Sequence, residues 1–196
     1  MINTQTNKID DIEHLYFEYY PSNFVLEVNP ALIGCNPQII RNIAWNFKEG
    51  KDQNWPLLLV EQTIKSKLPS LPITNRDNLT LVCPPASKIS TNNQRFLRFT
   101  YDLCHSLKMQ NGFDHIKIIN EKEPKHQYNT PAGAKTTWDM AQDLEFTPGF
   151  FEGKDIILFD DIVTTGDTMR DFINKMKELG AKPLLCLSLL YTPKIF

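Results

Sequence analysis

A chain of 196 residues with 41% hydrophobic and 22% charged content can bury one globular core and is too apolar to remain disordered. Its formal charge of −2 supplies no basic field to hold a phosphate backbone, so nucleic acid is not the expected partner. The four cysteines, Cys35, Cys83, Cys104 and Cys186, form no CxxC pair, which excludes a zinc knuckle or dithiol motif built from neighbours and leaves them as reduced packing residues.

The opening MINTQTNKIDDIEHLYF lacks a basic start followed by an apolar core. The longest apolar run, near Leu184 to Tyr191, is far too short to cross a bilayer, so a cytoplasmic protein without a membrane partner is expected. Asn36-Pro37 joins a capping side chain to a proline at the first helical position. Ile39, Ile40, Ile43 and Phe47 follow at helical spacing and predict a helix ending near Gly50. WPLLLVEQTIKSKL, Trp55 to Leu68, predicts a second helix stopped by Pro69. LTLVCPP, Leu79 to Pro85, reads as a short buried strand running into two prolines, and ASKISTNNQ after it as a polar loop. The next helix carries Phe96, Phe99, Leu103 and Leu107 and closes at Asn111-Gly112. HIKIIN, His115 to Asn120, predicts another strand, and EKEPKHQYNTPAGAKTTWD a long mobile loop.

Pro148-Gly149 and Gly153-Lys154 mark turns. DIILFDD then predicts a strand, and the segment after it a helix turning Met169, Phe172, Ile173, Met176 and Leu179 inward, with Gly180 as its cap. PLLCLSLLY, Pro183 to Tyr191, makes a last strand. Apolar strands alternating with amphipathic helices imply an α/β fold, a mostly parallel twisted sheet flanked by helices, with ligands beyond the carboxyl ends of the strands. Trp45, Trp55 and Trp138 are expected to pack in the core or cap. Cys104 and His105 share a helix without a third positioned group and read as packing and polar surface.

That architecture places Asp160 and Asp161 at the mouth of the sheet, where IILF ends, and makes VTTGDT a strand-to-helix turn. Adjacent carboxylates repel, so the pair needs compensation. The turn offers backbone N–H groups at the positive end of a helix, threonine hydroxyls, and Gly166 for close approach, which suits one phosphate monoester. Acceptors beside donors suit a ligand with hydroxyls beside a phosphate, such as a sugar phosphate. Hydrogen bonds and a nearby metal ion then offset the repulsion. A nucleotide-hydrolase loop is not present: Gly133, Ala134, Lys135 and Thr136 lack its spacing and its preceding strand.

Hydrophobic-hydrophobic-Asp-Asp-x-x-Thr-Thr-Gly-x-Thr resembles the phosphoribosyl-diphosphate (PRPP) binding motif of type I phosphoribosyltransferases. The similarity runs through GKDIILFDDIVTTGDTMRDFINKMKELGAKPLLCLSLL, which looks most like the ComF-like branch. Upstream, IIRNIAWNFKEGKDQNWPLLLVEQTIKSKL resembles the helical segment preceding the core in that branch, and LVCPPASK stands where its pyrophosphate loop would be. The resemblance implies a Rossmann-like core over residues 76–196 behind a small helical cap or hood over 1–75, without the branch's N-terminal zinc module.

It further implies that Asp160 and Asp161 hold ribose hydroxyls, while Val163, Thr164, Thr165, Gly166, Asp167 and Thr168 wrap the 5′-phosphate. Ala86, Ser87 and Lys88 would meet the pyrophosphate, and the loop around Lys125 and His126 would close over the substrate. Arg95 and Arg98 have two readings, facing the pyrophosphate or coating the helix, with the surface favoured for Arg98. The implied reaction transfers 5-phosphoribosyl to a nitrogen nucleophile, with Mg²⁺ bridging pyrophosphate and ribose oxygens. The alternative is a regulator that senses PRPP or a nucleotide without turnover. Purine-salvage members often carry an acidic residue where this chain has Thr164, so the acceptor stays open. The apolar C-terminal strand and the tail YTPKIF are the candidate contact for a homodimer.

Overall fold

Runs such as IILF and LLCL are apolar at every position because the strands they form are covered on both faces. The computed structural model describes residues 4–19, 37–122, 140–141 and 143–192. Along the chain come β1 (Gln5–Ile9), β2 (Ile12–Tyr19), α1 (Pro37–Lys48), α2 (Asn54–Lys67) and β3 (Leu79–Val82). A long helical segment follows, α3 (Ile89–Asn92), a π-helical stretch (Asn93–Leu97) and α4 (Arg98–Leu107). Then come β4 (Gln110–Asn111), β5 (Ile116–Ile118), β6 (Leu144–Phe146), β7 (Asp155–Val163), α5 (Asp167–Glu178) and β8 (Lys182–Tyr191).

Six strands form one sheet in the order β1-β2-β8-β7-β3-β4. All its neighbours are parallel except β1 and β2, which make an antiparallel hairpin. The expectation of an α/β fold with a mostly parallel sheet flanked by helices therefore holds. On one face α1, α2 and α4 bury Ile40, Phe47, Leu59, Val60 and Phe99 against Leu81, Phe159 and Leu187. On the other, α5 buries Met169, Phe172, Ile173 and Met176 against Ile156, Leu158 and Cys186. The rings of Phe99 and Phe159 lie 4.7 Å apart and Phe47 stands 5.0 Å from Phe99, so helices and sheet are keyed together one residue before the acidic pair. Fully burying one such ring is worth roughly 2–3 kcal/mol.

Several expectations are corrected. The helical cap over 1–75 is preceded by strands: residues 5–19 join the main sheet, with His14 to Tyr16 opposite Cys186 to Ser188. No break in the core falls near residue 75, because Leu15, Phe47 and Val60 share a cluster with Leu81 and Phe159. ASKISTNNQ is a loop only to Lys88; helix begins at Ile89. The helix closes at Lys108, which takes the left-handed conformation at φ 52°, and Asn111 belongs to the edge strand β4. HIKIIN does not join the parallel sheet, since β5 pairs antiparallel with β6 in a separate two-stranded sheet. Trp45 and Trp55 are exposed rather than packed. Strand β8 lies between β2 and β7, so it has no free edge for a second copy. Cys83, Cys104 and Cys186 are buried and unbridged, as expected; Cys35, Trp138 and the tail beyond Thr192 lie outside the described residues. Among the described residues no helix is long and apolar enough to cross a membrane.

Candidate functional site

Strand β7 does not end at Phe159 but runs through both aspartates to Val163. Its two neighbours stop at different heights. Strand β3 pairs only as far as Val82 opposite Leu158, whereas β8 continues to Tyr191 opposite Val163. Asp160 and Asp161 therefore stand past the end of β3, covered by β8 along one edge and open along the other, where residues 83–88 leave the sheet.

Side chains alternate along a strand. Leu158 belongs to the α5 side and Phe159 to the α1/α4 side, whereas the Asp160 and Asp161 carboxyl groups that follow lie within hydrogen-bonding reach of each other. Asp161 is buried, and its Oδ2 lies 3.1 Å from Arg95 Nη1, with 5% and 12% of the two side chains exposed. Asp160 is partly buried and lies opposite Ser188 of β8. Backbone donors turn each carboxylate: Asp161 N–H donates to Asp160 Oδ1 at 2.9 Å and Ile162 N–H to Asp161 Oδ1 at 2.8 Å. Burial, and then the Asp161 charge beside it, push the Asp160 carboxyl well above the ordinary carboxylate range, with Arg95 acting in the opposite sense. Cys83, at the end of β3, is near enough for both aspartates to help burial raise its thiol.

Arg95, whose place the sequence leaves undecided, is brought to the acidic pair. Helical spacing puts it beside exposed positions, and the π-helical stretch that aims it inward carries no sequence signature. The turn from α1 to α2 secures that stretch. Gln53 Nε2 donates to the carbonyls of Gln94 and Arg95 at 2.8 and 3.1 Å, and Arg95 Nη2 donates to the carbonyl of Lys48 at 3.3 Å. The C-terminal end of α1 is a favourable place for a cation. Arg98 instead pairs with Asp102 at 3.2 Å on the surface, as expected.

The turn after β7 is made by Thr164, Thr165 and Gly166, with Gly166 at φ +81° immediately before α5. Thr165 is exposed, and its hydroxyl donates to Asp167 Oδ2 at 2.6 Å. Asp167 also accepts from Arg170 Nη1 at 2.8 Å, which turns its carboxylate along the helix and leaves it in the first turn, where the dipole favours an anion. Ile9 lies 3.7 Å from where a Cβ on Gly166 would stand, so the hairpin missed by sequence lies beside this turn.

Ala86, Ser87 and Lys88 leave the end of β3, on the same side of the sheet as the acidic pair. Ala86 N–H donates to the buried Asn92 side chain at 2.9 Å, and Lys122 N–H donates to Ser87 O at 2.8 Å. Lys88, partly exposed, occupies the cap position before α3. Glu121 Oε1 accepts from Ile89 N–H at 2.8 Å, so residues 121–122 tie down both ends of this loop. Lys125 and His126 lie outside the described residues.

No family model matches the chain. Over 35 residues, 18% of this chain, it is 46% identical to "Transcriptional regulator GfcR 2" of Methanosarcina barkeri (strain Fusaro / DSM 804). The matched stretch spans 17% of that protein.

Proposed function

We propose that this protein is an Mg²⁺-dependent phosphoribosyltransferase that binds PRPP and transfers its 5-phosphoribosyl group to a nitrogen nucleophile with release of pyrophosphate. The observation that carries this reading is the convergence of Asp160, the turn Thr164–Thr168 and the loop 86–88 at the carboxyl end of adjacent parallel strands. Carboxylate, phosphate-binding turn and Lys88 match the hydroxyls, 5′-phosphate and pyrophosphate of one ligand.

Among the described residues no three His, Cys, Asp or Glu side chains converge as a metal cage. Mg²⁺ needs none: it keeps several waters and binds through one or two carboxylates together with ligand phosphates, a role that Asp160 fits. When bound it would neutralise charge developing on the leaving pyrophosphate. The chain's own residues position the rest. Asp160 accepts from a ribose hydroxyl, the amides at the start of α5 and the hydroxyls of Thr164, Thr165 and Thr168 fix the 5′-phosphate, and Lys88 neutralises the leaving group. Positive charge develops at the anomeric carbon in the transition state, so the carboxylates beside the ribose favour it as well as the ground state.

Calorimetry with PRPP and Mg²⁺ tests the reading. The wild type should bind, and Asp160→Asn with Asp161→Asn should not; absence of wild-type binding would overturn it. A second reading is a PRPP- or nucleotide-sensing regulator that uses the same site without turnover, and the short likeness to a transcriptional regulator favours it. Pyrophosphate release over a panel of nitrogenous bases separates the two, since a sensor binds PRPP and releases none.

A further inference from the structure

The turn that would take the 5′-phosphate is followed at once by a carboxylate. Asp167 opens α5, next to Gly166, and in the ligand-free protein the positive end of the helix favours its charge. A phosphate monoester, carrying about two negative charges, would compete for the same helix end. Asp167 Oδ2 also accepts from the Thr165 hydroxyl at 2.6 Å, one of the donors that the turn offers a phosphate. Left alone, Asp167 would oppose the ligand through both charge and hydrogen bonding.

Arg170 stands where it can offset this. It donates from Nη1 to Asp167 Oδ1 at 2.8 Å and from Nε to Asp10 Oδ1 at 3.0 Å. The guanidinium thus spans α5 and the β1–β2 turn, where Asp10 takes the left-handed conformation at φ 54°. Lys177, farther along α5, donates to Asp11 in the same turn at 3.0 Å, so hairpin and helix are joined twice. With 42% of the Arg170 side chain and 49% of the Asp167 side chain exposed, such pairs add little to stability. What two carboxylates on separate elements do fix is the place of one planar cation.

We propose that Arg170, braced by Asp10, is a positioning residue of the phosphate turn: it holds the Asp167 carboxylate along the helix and offsets its charge, so that the turn accepts a phosphate monoester. The N-terminal hairpin is then part of the binding apparatus. The inference rests on the phosphoribosyl reading above for the identity of the ligand that carries the phosphate.

Calorimetry with ribose 5-phosphate, and with PRPP and Mg²⁺, tests it on the full chain. Arg170→Gln should weaken binding about tenfold, because an uncompensated carboxylate then stands beside the phosphate. Adding Asp167→Asn to that variant should recover most of the loss, although the contact with Asp10 is still missing. Asp167→Asn alone should tighten binding roughly threefold while lowering the melting temperature, since the ligand loses a competitor and the helix loses its N-terminal anion. Arg170→Gln that binds like the wild type overturns the proposal, as does a double variant no better than Arg170→Gln, the result of a purely structural role. If Arg170→Gln does not fold, Asp167→Asn decides, and unchanged or weaker binding overturns the idea. Wild-type protein that binds ribose 5-phosphate but not PRPP sinks the phosphoribosyltransferase reading alone; wild-type protein that binds neither sinks both.

Discussion

His14 Nε2 lies 2.8 Å from Ser188 Oγ, and His14 Nδ1 lies 2.8 Å from Asn7 Oδ1, so one fully buried imidazole ties the N-terminal hairpin to β8 directly beside Asp160. Tyr16 and Tyr191 close over it, with ring centroids 5.5 and 5.6 Å away. As a core polar group it is satisfied at both nitrogens in its neutral form. Protonation would leave it a charge without an anion.

Burial accordingly lowers the His14 pKa from 6.5 to about 4. The unfolded chain takes up a proton near the ordinary value while the folded chain stays neutral. This contribution to stability is therefore complete above that value and is lost as pH falls toward the native one. At 1.36 kcal/mol per unit, the loss by about pH 4.5 is roughly 2–3 kcal/mol. Urea unfolding at neutral pH and at about pH 4.5 should show His14→Gln losing that much less than the wild type over the interval. Equal losses in both proteins would refute the assignment.

Asp160 is expected to trade stability for binding. Its carboxyl is held above the ordinary range by burial and by Asp161, so the folded protein retains a proton that the unfolded chain has released. Stability then falls as pH rises from the ordinary value toward the native one. Asp160→Asn removes that cost and should stabilise the ligand-free protein at neutral pH while abolishing PRPP binding. Thermal melts beside calorimetry read both effects, and a less stable variant would show that the carboxyl is not strained.

Gly166 is predicted to be required for its backbone. Its φ of +81° is costly for a residue with a Cβ, although the Cβ itself would meet Ile9 at an ordinary 3.7 Å. Gly166→Ala should lose about 1–2 kcal/mol by denaturant unfolding, and Gly166→Asn clearly less, because asparagine tolerates this region. If the two substitutions cost the same, crowding rather than conformation governs the position.

The parts of the fold legible in sequence are those where one residue type has one physical use. Gly180 at φ +79° ends α5, and Met169, Phe172, Ile173 and Met176 recur at helical spacing because one face is buried. The N-terminal hairpin was not legible, since Gln5 to Ile9 is polar along most of an edge strand and the Asp10-Asp11 turn resembles a solvated charge pair. The two exposed tryptophans also defeat composition, which says what a ring prefers but not what remains to cover it. In the site, adjacency of Asp160 and Asp161 was visible, but their place within the strand rather than at its end depends on β7 continuing to Val163. That continuation comes from pairing with β8, a long-range contact with no local signal.

Lys122 Nζ lies 2.9 Å from Asp143 Oδ2, with 12% and 8% of the side chains exposed. The Lys122 backbone donates to Ser87, and the Asp143 carbonyl accepts from Ile119 and Asn120 at 2.8 and 3.2 Å. The pair thus fastens the loop at Ala86–Lys88 to the segments following β5 and preceding β6. Removing one member takes the ion-pair partner from a largely buried charge, whereas removing both takes the two charges together. Lys122→Met with Asp143→Leu should cost about 1 kcal/mol less than the sum of the two single losses. Denaturant unfolding of both singles and the double gives the coupling, and additive losses would mean that each side chain is supported by its other neighbours. If the pair sets the loop, Lys122→Met should also weaken PRPP binding, and the double variant should recover it only as far as the loop returns to place.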